Sequence, residues 1–226
     1  MARVKAYWYL TRASGAVALI LLTITLVIGI VLIGRVRSER WPRFAIDGVH
    51  RSVSLLAVMF LTIHIVTAAL DSFASISVLD AFVPFAGAYR PLWLGLGAVA
   101  VDLLLAVIIT SLLRLRFGYR AWRATHWMAY GAWPTATLHA LGTGSDVRLT
   151  WLQVICAACG AAVLIAILTR VAIGWPDRLR ARLGALGIVA AVVIGIAVWL
   201  PAGPLGHDWA RRAGTPGNLL PTRGGG

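Results

Sequence analysis

Residues 46–70 read IDGVHRSVSLLAVMFLTIHIVTAAL, and this stretch decides the fold. About 20 apolar residues in a helix, at about 1.5 Å of rise each, cross the hydrocarbon core of a bilayer, so one helix over this stretch is long enough to span. The stretch also contains His50 and His64. Ionisable side chains are rare inside membrane helices and are usually functional there. We therefore predict a transmembrane helix with a functional site towards each end.

Five further apolar runs of similar length accompany this one. Of the 226 residues, 60% are hydrophobic and only 13% are charged, which is about half the charged share of a soluble domain. The sequence thus predicts an all-α, polytopic transmembrane helix bundle in residues 1–200, and the Gly-, Pro- and Arg-rich residues 201–226 predict a flexible polar C-terminal tail. The six predicted spans are Ala13–Gly34, Ile46–Leu70, Pro91–Leu113, Ala121–Leu141, Thr150–Ile173 and Leu183–Leu200.

The formal net charge of +13 comes mainly from arginines that lie between the spans. A nucleic-acid-binding protein would carry these arginines on a soluble domain, and none is predicted, so we exclude that class. Arginines accumulate in the cytoplasmic loops of membrane proteins, which predicts that both chain termini lie outside. The arginine-rich connections contain Arg35, Arg37, Arg40 and Arg43, then Arg114, Arg116, Arg120 and Arg123, and finally Arg170, Arg178, Arg180 and Arg182.

A second pair of histidines lies on the fourth predicted span. His126 and His139 are 13 residues apart, and His50 and His64 are 14 apart, so each pair is separated by roughly 20 Å along its helix. Spans two and four run in the same direction, because one span lies between them. We therefore expect His50 to face His126 at the cytoplasmic level (the inner pair) and His64 to face His139 at the outer level (the outer pair). Two facing imidazoles bind a haem iron from both sides, so the sequence predicts two haems, one above the other, in a core between helices two and four.

Helical phase makes a prediction about the fourth span. Fourteen residues at about 100° each return to within about 40° of the starting face, whereas thirteen miss it by about 140°. Both histidines of the fourth span reach one face only if that helix is distorted. We expect the distortion near Pro134, with help from Gly131.

Four other side chains near these levels have alternative interpretations. Asp102, in the middle of the third span, is either a proton-handling group beside a cofactor or a protonated or hydrogen-bonded helix contact. Arg51 and Arg123 are candidates for pairing with haem propionates, although most arginines of the chain are expected to be simple anchors. Trp127, which follows His126, is expected either in the interfacial aromatic belt or against a haem.

The histidine spacings and several short strings resemble the ferric reductase-like transmembrane domain family, which includes ferric reductases and NADPH oxidases. The resemblance covers nearly the whole chain. It implies that the four histidines named above are the axial ligands of two b-type haems. It also implies a multi-pass protein of the bacterial plasma membrane that passes electrons to an acceptor on the outer face. The strings are WYLTRASG at residues 8–15, Tyr119–Tyr130 and Leu138–Asp146.

One departure from this family concerns the electron donor. Larger members carry a C-terminal flavin and nicotinamide module, whereas here 26 residues follow Leu200 and contain no GxGxxG fingerprint. We therefore expect a separate reductase, flavoprotein or quinol as donor, and ferric iron or a flavin-bearing protein as the outer acceptor. Two alternatives stay open: a quinol-oxidising dihaem cytochrome b subunit of a respiratory complex, with Asp102 as proton acceptor, and a haem-free proton or metal transporter.

Overall fold

The computed structural model describes residues 2–33, 43–144, 146–173 and 176–220 of the chain. These residues form eight α-helices and two short 3-10 helices, at Val78–Ala81 and Gly217–Leu219, and no β-strand is present among them. The all-α prediction is therefore confirmed for this part of the chain. The helices are α1 Ala2–Ile33, α2 Arg43–Leu70, α3 Pro91–Leu112, α4 Arg114–His126, α5 Ala129–Thr143, α6 Thr150–Ala172, α7 Leu179–Ala202 and α8 Trp209–Arg212.

Five of the described helices, namely α1, α2, α3, α6 and α7, are long and apolar enough to cross a membrane. Their large apolar side chains are often exposed, and α7 buries none of its side chains. In water such faces would be unfavourable, but lipid tails are as apolar as leucine and cover them without penalty. The chain is a multi-pass membrane protein, and its orientation across the membrane stays a prediction.

The fourth predicted span, Ala121–Leu141, is not one continuous helix. It is divided between α4 and α5, which meet at Trp127 and Met128. Helix α4 is itself kinked at Gly118, whose φ of 77° and ψ of 162° are not helical. Five long spanning helices and this divided segment thus replace the six uniform spans that the hydropathy predicted.

Helix α1 begins before the predicted span Ala13–Gly34, and Arg12 lies inside it. The Arg12 guanidinium forms an ion pair with Asp146, in the connection between α5 and α6. It also lies over the Trp8 ring, with its Cζ atom 3.2 Å from the ring centroid. A paired and stacked arginine is compatible with a helix that continues through it. Gly34, Arg35, Arg37, Arg40 and the side chain of Arg43 lie outside the described residues.

The segment after α7 folds back onto the end of the bundle that carries the outer pair. Trp209 packs against Trp93 and Trp199, with ring centroids 5.1 Å and 6.0 Å away, and Pro204 is fully buried. Tryptophan and proline contacts thus connect residues 203–209 to the bundle, and the flexible tail expected for residues 201–226 stays a prediction. Residues 221–226 of that predicted tail lie outside the described residues.

Two helix groups meet in the bundle. Helix α1 packs against α2 and α6, while α3 packs against α5. A cluster of buried side chains joins α1, α5 and α6, and it includes the free cysteines Cys156 and Cys159. These groups hold α2, which carries His50 and His64, and the α4–α5 segment, which carries His126 and His139, on opposite sides of a central space. The other buried members of the cluster are Leu19, Leu141, Val147 and Leu152.

Candidate functional site: two facing histidine pairs

The four histidines of α2, α4 and α5 meet in two pairs. The ring centroids of His50 and His126 are 6.5 Å apart, and those of His64 and His139 are 6.2 Å apart. The pairs are those that helix direction and axial rise predict from the sequence. The two imidazoles of each pair come from opposite sides of the central space, so a group placed between them would contact both rings.

The outer pair is oriented by backbone carbonyl groups. Nδ1 of His64 donates a hydrogen bond to the Thr11 carbonyl oxygen at 2.7 Å, and Nδ1 of His139 donates to the Trp93 carbonyl oxygen at 2.9 Å. A carbonyl oxygen only accepts, so the proton of each ring is on Nδ1. The lone pair of each Nε2 is then free to bind a metal, and the Nδ1 hydrogen bond makes the imidazole a stronger donor.

A glycine lies one helical turn after each of these carbonyl groups and gives the ring its space. A Cβ atom on Gly15 would be 2.8 Å from Nδ1 of His64, and a Cβ atom on Gly97 would be 2.5 Å from Nδ1 of His139. Both distances are shorter than a non-bonded contact permits. Each outer imidazole therefore has the same seat, which consists of a carbonyl at position i and a glycine at position i+4 of the adjacent helix.

Helix α1 repeats this seat beside His50. Thr25 and Gly29 stand 14 residues after Thr11 and Gly15, and the same interval separates the two histidines of the antiparallel helix α2. The ring of His50 lies near the backbone of Thr25, and a Cβ atom on Gly29 would be 3.8 Å from its Cε1 atom, an ordinary contact. The glycine spacing is the sequence signal by which these seats could have been found.

The inner pair is held less tightly than the outer pair. Nδ1 of His50 and Nδ1 of His126 are buried and form no hydrogen bond with the described residues. His126 instead stacks on Trp122, with ring centroids 5.1 Å apart and an interplanar angle of 30°. The Trp122 indole N–H in turn donates to the Ser111 hydroxyl oxygen at 3.2 Å. The two levels thus offer different surroundings to the same pair of side chains.

The distortion that the 13-residue spacing requires lies before Pro134. Met128 N donates to the Thr125 carbonyl at 2.9 Å, and Gly131 N donates to the Met128 carbonyl at 2.9 Å, both bonds of the i to i+3 kind. Residues in such 3-10 turns advance by about 120° instead of about 100°, and thirteen residues complete four turns at about 111° each. Overwinding at the junction of α4 and α5 therefore turns His126 and His139 to one face. Pro134 lies inside α5, beyond this junction.

A cavity opens between the two outer histidines. It contains about 660 Å³ of space not filled by protein atoms, part of it open to the surroundings. Its walls are mainly apolar side chains of α2 and α3, together with Gly97 and Ala136. Its polar members besides the histidines are Ser77 and Asp80, which form a reciprocal capping box in the connection between α2 and α3. A mainly apolar lining with a few polar groups is typical of a binding site for an apolar cofactor.

The other residues considered from the sequence are less closely involved. Asp102 is half-buried, does not line the cavity and forms no hydrogen bond or ion pair with the described residues. Arg51 and Arg123 are exposed. Trp127 is 58% exposed and packs on Tyr130. Trp122, which the sequence argument did not single out, makes the contact with His126 that Trp127 does not.

A known protein family matches this chain. The family model described as ferric reductase like transmembrane component matches residues 13–137, more than half of the chain. The chain belongs to this family. The matched segment contains His50, His64 and His126 and ends just before His139. No curated protein and no solved structure matches the chain significantly.

Membership of the ferric reductase-like family gives the histidine pairs their context. Three of the four histidines lie in the shared segment, as do Gly15 of the His64 seat and both residues of the His50 seat, Thr25 and Gly29. Thr11 precedes the matched residues. The seat of His139 is also inside it, because Trp93 and Gly97 belong to α3. Membership of this family is consistent with a membrane electron-transfer component.

Proposed function

We propose that this chain is a transmembrane cytochrome b that passes electrons across the membrane through two bis-histidine haems b. His50 and His126 would hold the inner haem, and His64 and His139 the outer haem. A separate reductase, flavoprotein or quinol supplies the electrons, and an outer-face acceptor such as ferric iron or a flavin-bearing protein receives them. The protein is then the electron-transfer subunit of an oxidoreductase.

The facing geometry of the histidine pairs supports this proposal most strongly. A metal ion bound at about 2 Å from one nitrogen of each ring holds two facing imidazole centroids about 6 Å apart. The measured separations are 6.5 Å and 6.2 Å. The outer rings also present unprotonated Nε2 atoms, since their Nδ1 atoms donate to carbonyl groups. The donor set therefore fits axial ligation of an iron.

The number of donors favours a macrocycle over a bare ion. No group of three or more His, Cys, Asp or Glu side chains that could hold a metal ion exists among the described residues. Two neutral imidazoles alone are a poor site for a free ion, because structural and catalytic metal sites use three or four protein ligands. A porphyrin brings the remaining four nitrogens itself. Two histidines at each level are then sufficient.

The protein's contribution is to hold, orient and insulate the cofactor. A bound haem supplies reversible one-electron chemistry. The carbonyl groups of Thr11 and Trp93 orient the outer imidazoles, and Gly15 and Gly97 let the rings approach α1 and α3. The apolar walls of the outer cavity exclude water from this level. Together these residues keep an electron-transfer site dry within the membrane.

Charge near the inner pair supports a donor on the arginine-rich side. The exposed residues Tyr119, Arg120, Arg123 and Trp127 line a shallow depression on α4, the helix that ends at His126. A protein donor with an acidic docking surface complements these guanidinium groups and comes close to the inner site. This surface lies at the end of the bundle opposite the outer pair.

Haem counting with paired variants tests the proposal. Purified from haem-replete cells, the wild-type chain is expected to carry about two low-spin haems b. His64→Ala, His139→Ala and the double variant of both are each expected to lose one haem, because both residues serve the same haem. His64→Ala combined with His126→Ala takes one ligand from each pair and is expected to lose both haems.

Two outcomes would contradict the proposal. A colourless wild-type protein would overturn it and leave a haem-free proton or metal transporter as the better explanation. The pairing would be different if His64→Ala with His126→Ala retained a full low-spin haem while His64→Ala with His139→Ala lost both haems. A Cys156→Ala variant, altered in the buried cluster away from the histidines, controls for general loss of folding.

A further inference from the structure

Arg90 is a charged side chain in an almost fully buried position. It is 4% exposed and precedes α3 in the left-handed conformation, with φ of 43° and ψ of 62°. Few residues with a Cβ atom adopt this conformation without support from their surroundings. No carboxylate among the described residues pairs with it. A buried guanidinium needs hydrogen-bond acceptors, so its backbone partners explain its presence.

Two separate parts of the chain supply those acceptors. Nη1 of Arg90 donates to the carbonyl oxygens of Gly142 and Thr143, at 3.0 Å each. Its Nε atom donates to the Thr215 hydroxyl oxygen at 2.9 Å, and its backbone N–H donates to the Gly214 carbonyl at 3.1 Å. Arg90 therefore joins the start of α3, the end of α5 and the C-terminal segment.

The bonds from Arg90 to α5 supply donors to backbone carbonyl groups that have no donor within the helix. The last four carbonyl groups of an α-helix have no intrahelical donor and carry partial negative charge. The Arg90 guanidinium donates hydrogen bonds to two of these carbonyl groups in α5 and places its positive charge beside them. A lysine could not do this equally well, because its ammonium lacks the planar fork of donors.

Both neighbours of the His139 Nδ1 atom belong to the elements that Arg90 joins. The accepting carbonyl is that of Trp93, three residues after Arg90 in α3, and the Thr143 hydroxyl oxygen lies 3.3 Å from the same Nδ1. The Trp93 ring in turn packs directly on Gly142, where a Cβ atom would collide with it. Displacement of α5 against α3 would therefore change the hydrogen bond of His139.

The C-terminal segment completes this arrangement. Gly214 has a φ of 87°, and a Cβ atom there would lie 3.1 Å from Cδ of Pro91. The indole N–H of Trp209 donates to the same Gly142 carbonyl that Arg90 binds, at 3.1 Å. The segment thus contacts α5 directly and also through Arg90.

We propose that Arg90, together with the C-terminal segment 203–215, clamps α5 to α3 and thereby positions His139 as a ligand of the outer haem. Arg90 is a positioning residue in this proposal, because it touches neither ring of the pair. The proposal rests on the proposed haem function. It predicts that loss of the clamp weakens the hydrogen bond from His139 to Trp93, makes the imidazole a poorer donor and raises the midpoint potential of the outer haem.

The experiment compares the two haems within one full-length, detergent-purified protein. Midpoint potentials and electron paramagnetic resonance spectra are recorded for wild type, Arg90→Gln, Arg90→Lys and Thr215→Val. The outer signal is identified by its absence from His64→Ala. Arg90→Gln is expected to raise the outer potential and leave the inner one unchanged, with Arg90→Lys intermediate and Thr215→Val smaller in effect.

Arg148→Gln is the matched control, because Arg148 also donates to the C-terminal segment, at the Gly206 carbonyl, but bonds to no atom of α5. It is expected to lower thermal stability at most and to shift neither potential.

An unshifted outer signal in Arg90→Gln, or an equal shift in Arg148→Gln or in both haems, would overturn the clamp. If Arg90→Gln does not fold, Thr215→Val decides by the same criteria. A haem-free wild type would overturn the proposed function and the clamp together, whereas two haems with an unshifted outer signal would overturn the clamp alone.

Discussion

Nδ1 of His139 lies 2.9 Å from the carbonyl oxygen of Trp93, on a helix that reaches the site 46 residues earlier in the chain. The bond determines which nitrogen is protonated, because the carbonyl can only accept. His64 has the same relationship with Thr11. The outer pair is therefore pre-oriented by protein backbone, whereas the inner pair depends on packing.

Gly15→Ala and Gly29→Ala form a matched pair on one helix. The new methyl group would be 2.8 Å from the His64 ring in the first case and 3.8 Å from the His50 ring in the second. Gly15→Ala is expected to lose the outer haem and about 1–3 kcal/mol of stability through overpacking. Gly29→Ala is expected to keep both haems and to gain up to about 1 kcal/mol from helix propensity. Haem content and thermal unfolding measure both effects, and similar behaviour of the two variants would contradict the glycine seat.

Trp122→Leu is expected to alter the inner site selectively. The substitution removes the stack on His126 and the hydrogen bond to Ser111, and aromatic pairs of this kind contribute about 0.5–1.5 kcal/mol. The inner haem should show a shifted or broadened resonance spectrum while the outer signal stays unchanged. Trp127→Leu is the control, since Trp127 is exposed and packs on Tyr130. A larger effect of the control than of Trp122→Leu would refute this assignment.

Pro134→Ala tests where the overwinding of the histidine-bearing segment originates. The i to i+3 bonds lie between Thr125 and Gly131, so the proline is not needed to turn His139 towards His64. The variant is expected to keep about two haems per chain, with stability equal to or above that of wild type, because an interior proline removes a helix hydrogen bond. Loss of the outer haem in this variant would place the source of the distortion at Pro134 instead.

Asp102→Asn separates the electron-transfer function from quinol oxidation. Asp102 has no hydrogen-bond or ion-pair partner among the described residues and does not line the outer cavity. The substitution is expected to leave haem content, both spectra and stability within about 0.5 kcal/mol of wild type. Electron transfer from an artificial one-electron donor should be equally unaffected. A loss of quinol-dependent reduction alone would identify Asp102 as a proton acceptor and favour the respiratory-subunit alternative.

Much of the fold follows from the sequence for one physical reason. A backbone inside lipid must satisfy its own hydrogen bonds, so each long apolar run becomes a helix and its rise converts residue number into depth. That conversion was sufficient to match His50 with His126 and His64 with His139 before any contact was known. The prediction of one continuous helix over Ala121–Leu141 was wrong, because a local change of helix type at Trp127 has little effect on hydropathy.

The sequence by itself thus determined an all-helical membrane protein with two histidine levels. Only the tertiary structure decided how those histidines are held. The seats of His64 and His139 need carbonyl groups and glycines from other helices, and the bond from Arg90 to Thr215 joins residues 125 positions apart. The folded C-terminal segment was equally hidden, since its Gly-, Pro- and Arg-rich composition is typical of flexible chains. Contacts between distant residues depend on how the helices pack, and neither periodicity nor composition contains that information.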